Sequence, residues 1–245
     1  MHKLGLLGRN ISYSFSKGYF SKKFETESLP YVYENFDLER ISEFNSVLQN
    51  NPELIGFNVT IPYKEQIIPL LNTLDDTAKE IGAVNTVKVQ KDGTLKGYNT
   101  DYYGFQASLQ PFLKAQHKTA LILGTGGASK AVAYALKNLG ISFEFVSRTP
   151  RENVKFIYKD LTEDIIKEHT VIINCTPLGT HPNVNQCPDI PYDGLTPDHL
   201  VYDLIYNPEQ TKFLTCGDIK NAITVNGSKM LELQAEKAWE IWNTP

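Results

Sequence analysis

TALILGTGGASKAVAYALKNLG, residues 119–140, is the stretch on which the fold turns. Its first five residues are almost wholly apolar, as in a strand buried on both faces of a parallel sheet. Gly124, Gly126 and Gly127 follow at once, and apolar residues then recur at helical spacing until Gly140 ends the run. Strand, glycine turn and helix in that order form the setting of a dinucleotide fingerprint. The backbone must turn tightly there and approach a pyrophosphate at a helix N-terminus without a Cβ in the way. Ser129 occupies the third glycine position and is small enough for close packing. A plain glycine-rich strand–helix turn is the alternative.

Downstream, SFEFVSR (142–148), TVIINCTP (170–177) and LVYDLIYN (200–207) read as further strands. Strand, helix and strand make a βαβ unit with a right-handed crossover, so residues 102–225 are expected to form a Rossmann domain. The second strand ends in Ser147-Arg148-Thr149, where NAD sites usually place an Asp or Glu for the ribose 2′-hydroxyl. An arginine there suits a 2′-phosphate, with Thr149 and Arg151 as further donors, and favours NADP over NAD. The alternative is that Arg148 is only a solvated surface charge.

Upstream, the pattern alternates. KLGLLG (3–8) reads as a strand, 17–28 as a helix with Tyr19, Phe20 and Phe24 on one face, YVYENF (31–36) as a strand, and 38–49 as a helix. LIGFNVT (54–60) is a short strand before Pro62, and 64–71 reads as a helix. AVNTVKVQ (83–90) and LKGYNTD (95–101) form a hairpin across Asp92-Gly93. The expected class is therefore α/β with two domains: residues 1–101 around a mixed sheet, then the Rossmann domain. SKMLELQAEKAWEIWN (228–243) is amphipathic, so 226–245 is expected to be a closing helix that packs back on the first domain.

Composition excludes several classes. The 24 Lys and Arg against 28 Asp and Glu are scattered, so no basic stripe faces a nucleic acid. Cys175, Cys187 and Cys216 lack CxxC spacing and a histidine pattern, so neither a metal site nor a disulfide framework is expected, and a reducing compartment follows. The N-terminal apolar run is broken by glycines and too short for a leader or a membrane span. Cytoplasmic location is the expectation.

The first half also carries more polar chemistry than a scaffold needs. Ser14 and Ser16, two apart on a turn after a strand, offer two hydroxyls to a carboxylate; they equally suit capping of a helix near Lys17. Lys64 follows Pro62 and so falls in the first turn of the expected helix, where the dipole disfavours a positive charge. Asp101, at the end of the hairpin strand, would complete a proton-handling pair with it; on spacing alone a surface ion pair is the commoner outcome. Asn85, Thr60 and Gln234 carry groups suited to a polyol ring, whereas Asn58 and Asn99 also fit turns.

SYSFS (12–16), NVTIPYKE (58–65), GAVNTV (82–87), GYNTDYYGF (97–105), GTGGAS, SRT, INCTPLG (173–179), DLIYNP (203–208) and the NG…MLELQA segment (226–235) together resemble the shikimate dehydrogenase family along nearly the whole chain. The resemblance implies a two-domain enzyme that reduces 3-dehydroshikimate to shikimate with NADPH, the substrate lying between the domains. It assigns Lys64 and Asp101 to catalysis, and Ser14, Ser16, Thr60, Asn85, Asp101, Tyr206 and Gln234 to the substrate. It gives the cofactor Gly124, Gly126, Gly127, Ala128, Ser129, Ser147, Arg148, Thr149, Thr176, Ile205 and Gly227. A monomer or homodimer with small-molecule partners is implied. The chain departs from the family pattern at Tyr13 (usually His), Lys17 (usually Pro) and Lys229 (often Gly). A quinate/shikimate dehydrogenase using NAD or NADP, a non-catalytic binding paralogue and, more remotely, a Rossmann reductase of an amino-acid derivative are the rival readings.

Overall fold

β1 (His2–Gly8) places Leu4 and Leu6 in one apolar cluster and Leu7 in another, so both faces of the strand are covered. After it come α1 (Phe15–Thr26), β2 (Tyr31–Asp37), α2 (Phe44–Asn50), β3 (Leu54–Val59), β4 (Thr73–Leu74), α3 (Asp76–Ile81), β5 (Thr86–Val89) and β6 (Leu95–Tyr98). They form a six-stranded sheet in the order β2-β1-β3-β5-β6-β4. β1 runs parallel to β2 and β3, whereas β5 runs antiparallel to β3 and β6, so the sheet is mixed. The computed structural model describes residues 2–12 and 14–244, and Tyr13 lies outside the described residues.

Several local expectations need correction, each for a physical reason. Residues 64–71 are not a helix: a turn leads into a 3-10 segment at Ile68–Leu70. Pro69 has no N–H to continue a helical ladder, and the Lys64 carbonyl accepts from the Val84 N–H at 2.7 Å. α1 begins at Phe15, not 17, because Ser14 caps it: the Ser14 Oγ accepts from the Lys17 N–H at 3.2 Å. In 38–49 the helix starts only at Phe44, after a 3-10 turn at Ile41–Glu43, while the Leu38 N–H is still held by the Gly8 carbonyl. Asn58 is no turn former but a buried residue of β3.

Asp101 does not end a strand but opens α4 (Asp101–Leu109). β7 (Thr119–Leu123), α5 (Gly127–Asn138), β8 (Ser142–Ser147), β9 (Phe156–Ile157), α6 (Glu163–Glu168), β10 (Val171–Asn174), β11 (Leu200–Asp203), α7 (Lys212–Ile219), β12 (Ile223–Val225) and α8 (Ser228–Asn243) follow. The second sheet, β12-β11-β10-β7-β8-β9, is parallel throughout. Counted from β7, this is the 3-2-1-4-5-6 order of a Rossmann sheet. Ala120 and Ile122 face one apolar cluster, Leu121 and Leu123 the other, and β10 and β11 divide in the same way. Burial on both faces explains the unbroken apolar runs. β9 and β12 are too short to stand out in sequence, and α6 and α7 are announced only by their caps, Thr162 and Thr211.

The chain divides into two compact units, Met1–Asp101 with Gln234–Pro245, and Tyr102–Leu233. The last turns of α8 belong to the first unit, where Ala235, Ala238 and Trp242 join Leu4, Phe20 and Phe24 in the core and the Trp242 Nε1–H donates to the Val87 carbonyl at 3.0 Å. No helix among the described residues is long and apolar enough to cross a membrane, and no group of three or more His, Cys, Asp or Glu among them is placed to hold a metal ion.

Candidate active site

Lys64 Nζ lies 2.7 Å from Asp101 Oδ2, with side-chain exposures of 16% and 8%, so this is not the solvated surface pair that spacing alone favours. The helix-dipole reason for tuning Lys64 falls away with the helix. Its position comes instead from the turn after β3: Tyr63 is buried with its hydroxyl on the Leu38 carbonyl, and Lys64 is tied to Val84. Asp101 is fixed from its other side, since its Oδ1 accepts from Asn85 Nδ2 at 2.8 Å.

Asn85 is the hub of this unit. Its Nδ2 also reaches Thr100 Oγ1 at 3.0 Å and Gln234 Oε1 at 3.2 Å, while its Oδ1 accepts the Thr100 N–H at 2.7 Å. That backbone bond stops β6 before Asp101 and turns the chain into α4. Thr100, fully buried, donates to Gln234 at 3.3 Å. Three acceptors compete for the two protons of one amide, so the network has spare hydrogen-bonding capacity that a hydroxylated ligand can take up. Thr60 is half-buried, its N–H held by the Leu7 carbonyl.

The capping role of Ser14 does not remove it from ligand binding. A hydroxyl that accepts from Lys17 keeps its own proton, and the cap fixes where that oxygen sits. Ser16 is the second residue of α1, and the buried Tyr33 hydroxyl donates to Asn58 Oδ1 at 2.7 Å. Burial raises the Tyr33 phenol well above its ordinary range, with Ser16 pulling the other way, so Tyr33 is a neutral donor at any working pH.

In the second unit, Gly124 follows β7 with φ 111°, a conformation that L side chains rarely adopt, and a Cβ there would lie 3.2 Å from the Cys175 carbonyl oxygen. This is where β7 adjoins β10, the switch point of the strand order, and such crevices are where open α/β sheets take ligands. A Cβ on Gly126 would meet nothing within 4 Å, which leaves the approach to the N-terminus of α5 open. Gly127 and Ala128 open that helix, and the buried Ser129 ties the loop by donating to the Gly126 carbonyl at 2.6 Å. Ser147 donates to the Thr149 carbonyl; Arg148 and Thr149 are exposed. Arg151 Nη1 reaches Thr125 Oγ1 at 3.2 Å, so the segment after β8 leans on the glycine loop. Thr176 is held by Asn174, whose Oδ1 takes its N–H at 2.9 Å and its hydroxyl at 2.7 Å.

A family model described as the shikimate dehydrogenase substrate binding domain matches residues 6–87. A shikimate dehydrogenase (NADP(+)) of Clostridium botulinum is 39% identical, covering 99% of this chain and 96% of its own length. The chain belongs to the shikimate dehydrogenase family. Two solved structures superpose on it with TM-scores of 0.87. One is the shikimate 5-dehydrogenase of Thermus thermophilus in complex with NADP(H) and shikimate, at 28% identity over 99% of this chain and 94% of that one. The other is a quinate dehydrogenase from Corynebacterium glutamicum in complex with NAD, at 27% identity over 99% and 93%.

This member of the shikimate dehydrogenase family brings Lys64, Asn85, Asp101 and Gln234 into one hydrogen-bonded group. Thr86, Thr100, Asn58 and Tyr33 belong to the same connected set, although sequence reasoning does not single them out as site residues; the Asn-Thr pairs at 85–86 and 99–100 are the available signal. The departure at Lys17 has a structural use, since proline would lack the N–H that Ser14 caps. Lys229 points to solvent and pairs with Glu232 at 2.9 Å.

Tyr206 and Ile205 follow a strand that ends early, at Asp203. The Asp203 carboxylate takes the Ile205 N–H at 3.1 Å, Asn174 Nδ2 at 3.0 Å and the Thr211 hydroxyl at 2.7 Å. Gly227 packs against the same turn: a Cβ there would lie 2.1 Å from the Leu204 carbonyl oxygen, so only glycine fits. The half-buried Tyr206 has its phenol raised by burial. Burial also pushes Asp203 up from 3.8 to about 6, against the pull of its hydrogen bonds. The folded state then holds this proton more tightly than the unfolded chain. Its stabilising contribution is complete below pH ~4 and is lost as pH rises through ~6, by at most about 3 kcal/mol. Denaturant titrations of the wild type and Asp203→Asn at pH 4 to 7 should show the stability difference drifting against the wild type as pH rises; parallel profiles would refute the shift.

Proposed function

We propose that this chain catalyses the reversible NADPH-dependent reduction of 3-dehydroshikimate to shikimate, in the cytoplasm, as a monomer or homodimer. In this reading residues 1–101 with the end of α8 are the substrate domain and residues 102–225 hold the cofactor. The observation that carries it is the shielded Lys64–Asp101 pair set among Asn85, Thr100 and Gln234.

The residues fit the nucleotide. Gly124 takes the φ that the turn requires and Gly126 leaves room at the N-terminus of α5 for a pyrophosphate, Gly127, Ala128 and Ser129 continue that turn, and Arg148, Thr149 and Arg151 suit a 2′-phosphate beside Ser147. Thr176, Ile205 and Gly227 complete the cofactor side. Bound there, NADPH supplies the hydride. The substrate carboxylate takes the Ser14 and Ser16 hydroxyls at the N-terminus of α1, where the helix dipole adds positive potential. Thr60, Asn85, Asp101 and Gln234 hold the ring hydroxyls, and Tyr206 lines the substrate. Lys64, oriented by Asp101, gives its proton to the alkoxide oxygen that develops at the ketone, and takes it back during shikimate oxidation.

Initial rates of the purified protein with shikimate or quinate, each with NADP or NAD, test this directly. Shikimate with NADP is expected to be the preferred pair. Preference for quinate would move the chain to the quinate branch, and no turnover with any pair would leave a binding protein.

A further inference from the structure

Asn174 and Asp203 face each other on the last rung of the β10–β11 ladder, and both are fully buried. The Asn174 amide has one workable orientation. A backbone N–H can only donate, so the atom that accepts from the Thr176 N–H is the oxygen, and Nδ2 is left to donate to Asp203 Oδ1 at 3.0 Å. The same oxygen takes the Thr176 hydroxyl, which in turn accepts the Leu178 N–H at 3.3 Å. Asp203 closes the loop that follows it. Its Oδ1 accepts the Ile205 N–H and its Oδ2 the Thr211 hydroxyl, while the Thr211 oxygen caps α7 by accepting from the Leu214 N–H. The Gly227 N–H donates to the Ile205 carbonyl at 3.0 Å, so both backbone groups of Ile205 are held. Burial nonetheless pushes the Asp203 carboxyl up to about 6, so at neutral pH the charge costs stability that a well-packed apolar pair would not.

The sheet order indicates what the two loops serve. Along β11-β10-β7-β8, the glycine turn follows β7 and Arg148 follows β8. A dinucleotide with its pyrophosphate at that turn and its adenosine towards β8 lays its other half over β10 and β11. We propose that Asn174 and Asp203 are positioning residues for hydride transfer: side chain to side chain, they clasp the loop carrying Thr176 to the loop carrying Ile205 and Tyr206, and so fix the spacing of the groups on the nicotinamide side. The inference rests on the reading that the chain binds NADP through Thr176 and Ile205. Both clasp residues are fully buried, so they act through the loops and not by contact with the cofactor. Loosening the clasp therefore disturbs the nicotinamide side and spares the adenosine half, which is held from β7 and β8.

The test uses Asn174→Ala, which removes the Thr176 and Asp203 arms of the clasp together, and reads two quantities. One is the rate constant of a single turnover of shikimate with saturating NADP, followed as NADPH appears, which does not depend on how much of the protein is folded. The other is competitive inhibition by adenosine 2′,5′-bisphosphate, which carries the adenosine half without nicotinamide. The rate constant should fall about 10- to 100-fold, the scale of a misplacement of about 1 Å, with the inhibition constant within about twofold of wild type. Thr211→Val, which leaves Asp203 Oδ2 without its donor, should lower the rate constant about tenfold, whereas Thr211→Ser, which keeps the hydroxyl, should stay near wild type. That pair carries the test if Asn174→Ala does not fold. A wild type that gives no single turnover, or that the bisphosphate does not inhibit, would overturn the cofactor reading and this inference with it. If the wild type turns over and is inhibited, then an unchanged rate constant in Asn174→Ala, equal rate constants in the two Thr211 variants, or a loss confined to the inhibition constant would overturn this inference alone.

Discussion

Lys64→Ala is expected to lower kcat for shikimate oxidation by about 10² to 10⁴-fold, the usual contribution of a positioned proton-transfer group, with little change in KM. Truncation leaves the Asp101 carboxylate shielded from water, bonded to Asn85 but without its cation, so a loss of stability accompanies the loss of rate. Lys64→Arg separates the two effects. Arginine keeps a positive charge beside Asp101 and retains most of the stability, but it does not release a proton at any accessible pH, so the rate remains low. Asp101→Asn should weaken turnover by disorienting Lys64. Combined with Lys64→Ala it should add little, because the two groups act as one unit. Normal turnover in either Lys64 variant would dismiss the assignment.

The double variant Arg148→Ala/Arg151→Ala should lose about 10² to 10³-fold in kcat/KM for NADP, on the scale of two charge-assisted hydrogen bonds to phosphate, while the value for NAD moves by only a few-fold. Both side chains are exposed, so the wild-type preference for NADP should also weaken as salt is raised. Arg151 differs from Arg148 in leaning on Thr125 of the glycine loop. Its single replacement is therefore expected to affect both cofactors slightly, that of Arg148 NADP alone. Equal losses with NADP and NAD in the double variant would mean that the arginines serve the loop and not the 2′-phosphate.

The two halves of the chain are legible in the sequence to different degrees. The glycine loop needs no tertiary knowledge, since strand, turn and helix are contiguous and each is set by near neighbours. Where strands stop is less legible. Asn174 and Asp203 each capture the N–H two residues on, and Asn85 captures that of Thr100, so a polar side chain ends an apolar run that composition alone would extend. The turn carrying Lys64 escapes a reading by helical pattern because Pro69 outweighs the apolar spacing around it. Ser14 takes the cap role that its position suggests, and because a hydroxyl accepts and donates at once, the cap leaves its proton available.

By itself the sequence determined the α/β class, the parallel apolar strands, the glycine turn and the residue types offered to a substrate and to NADP, because periodicity, turn chemistry and capping act over a few residues. Only the tertiary structure decided that Lys64 and Asp101 are shielded, that Asn85 meets Gln234 from 149 positions away, and that the Tyr33 hydroxyl meets Asn58. Those facts depend on strand order and on how the end of α8 packs into the first unit. Spacing along a chain does not encode the burial and the competition for donors that such packing creates.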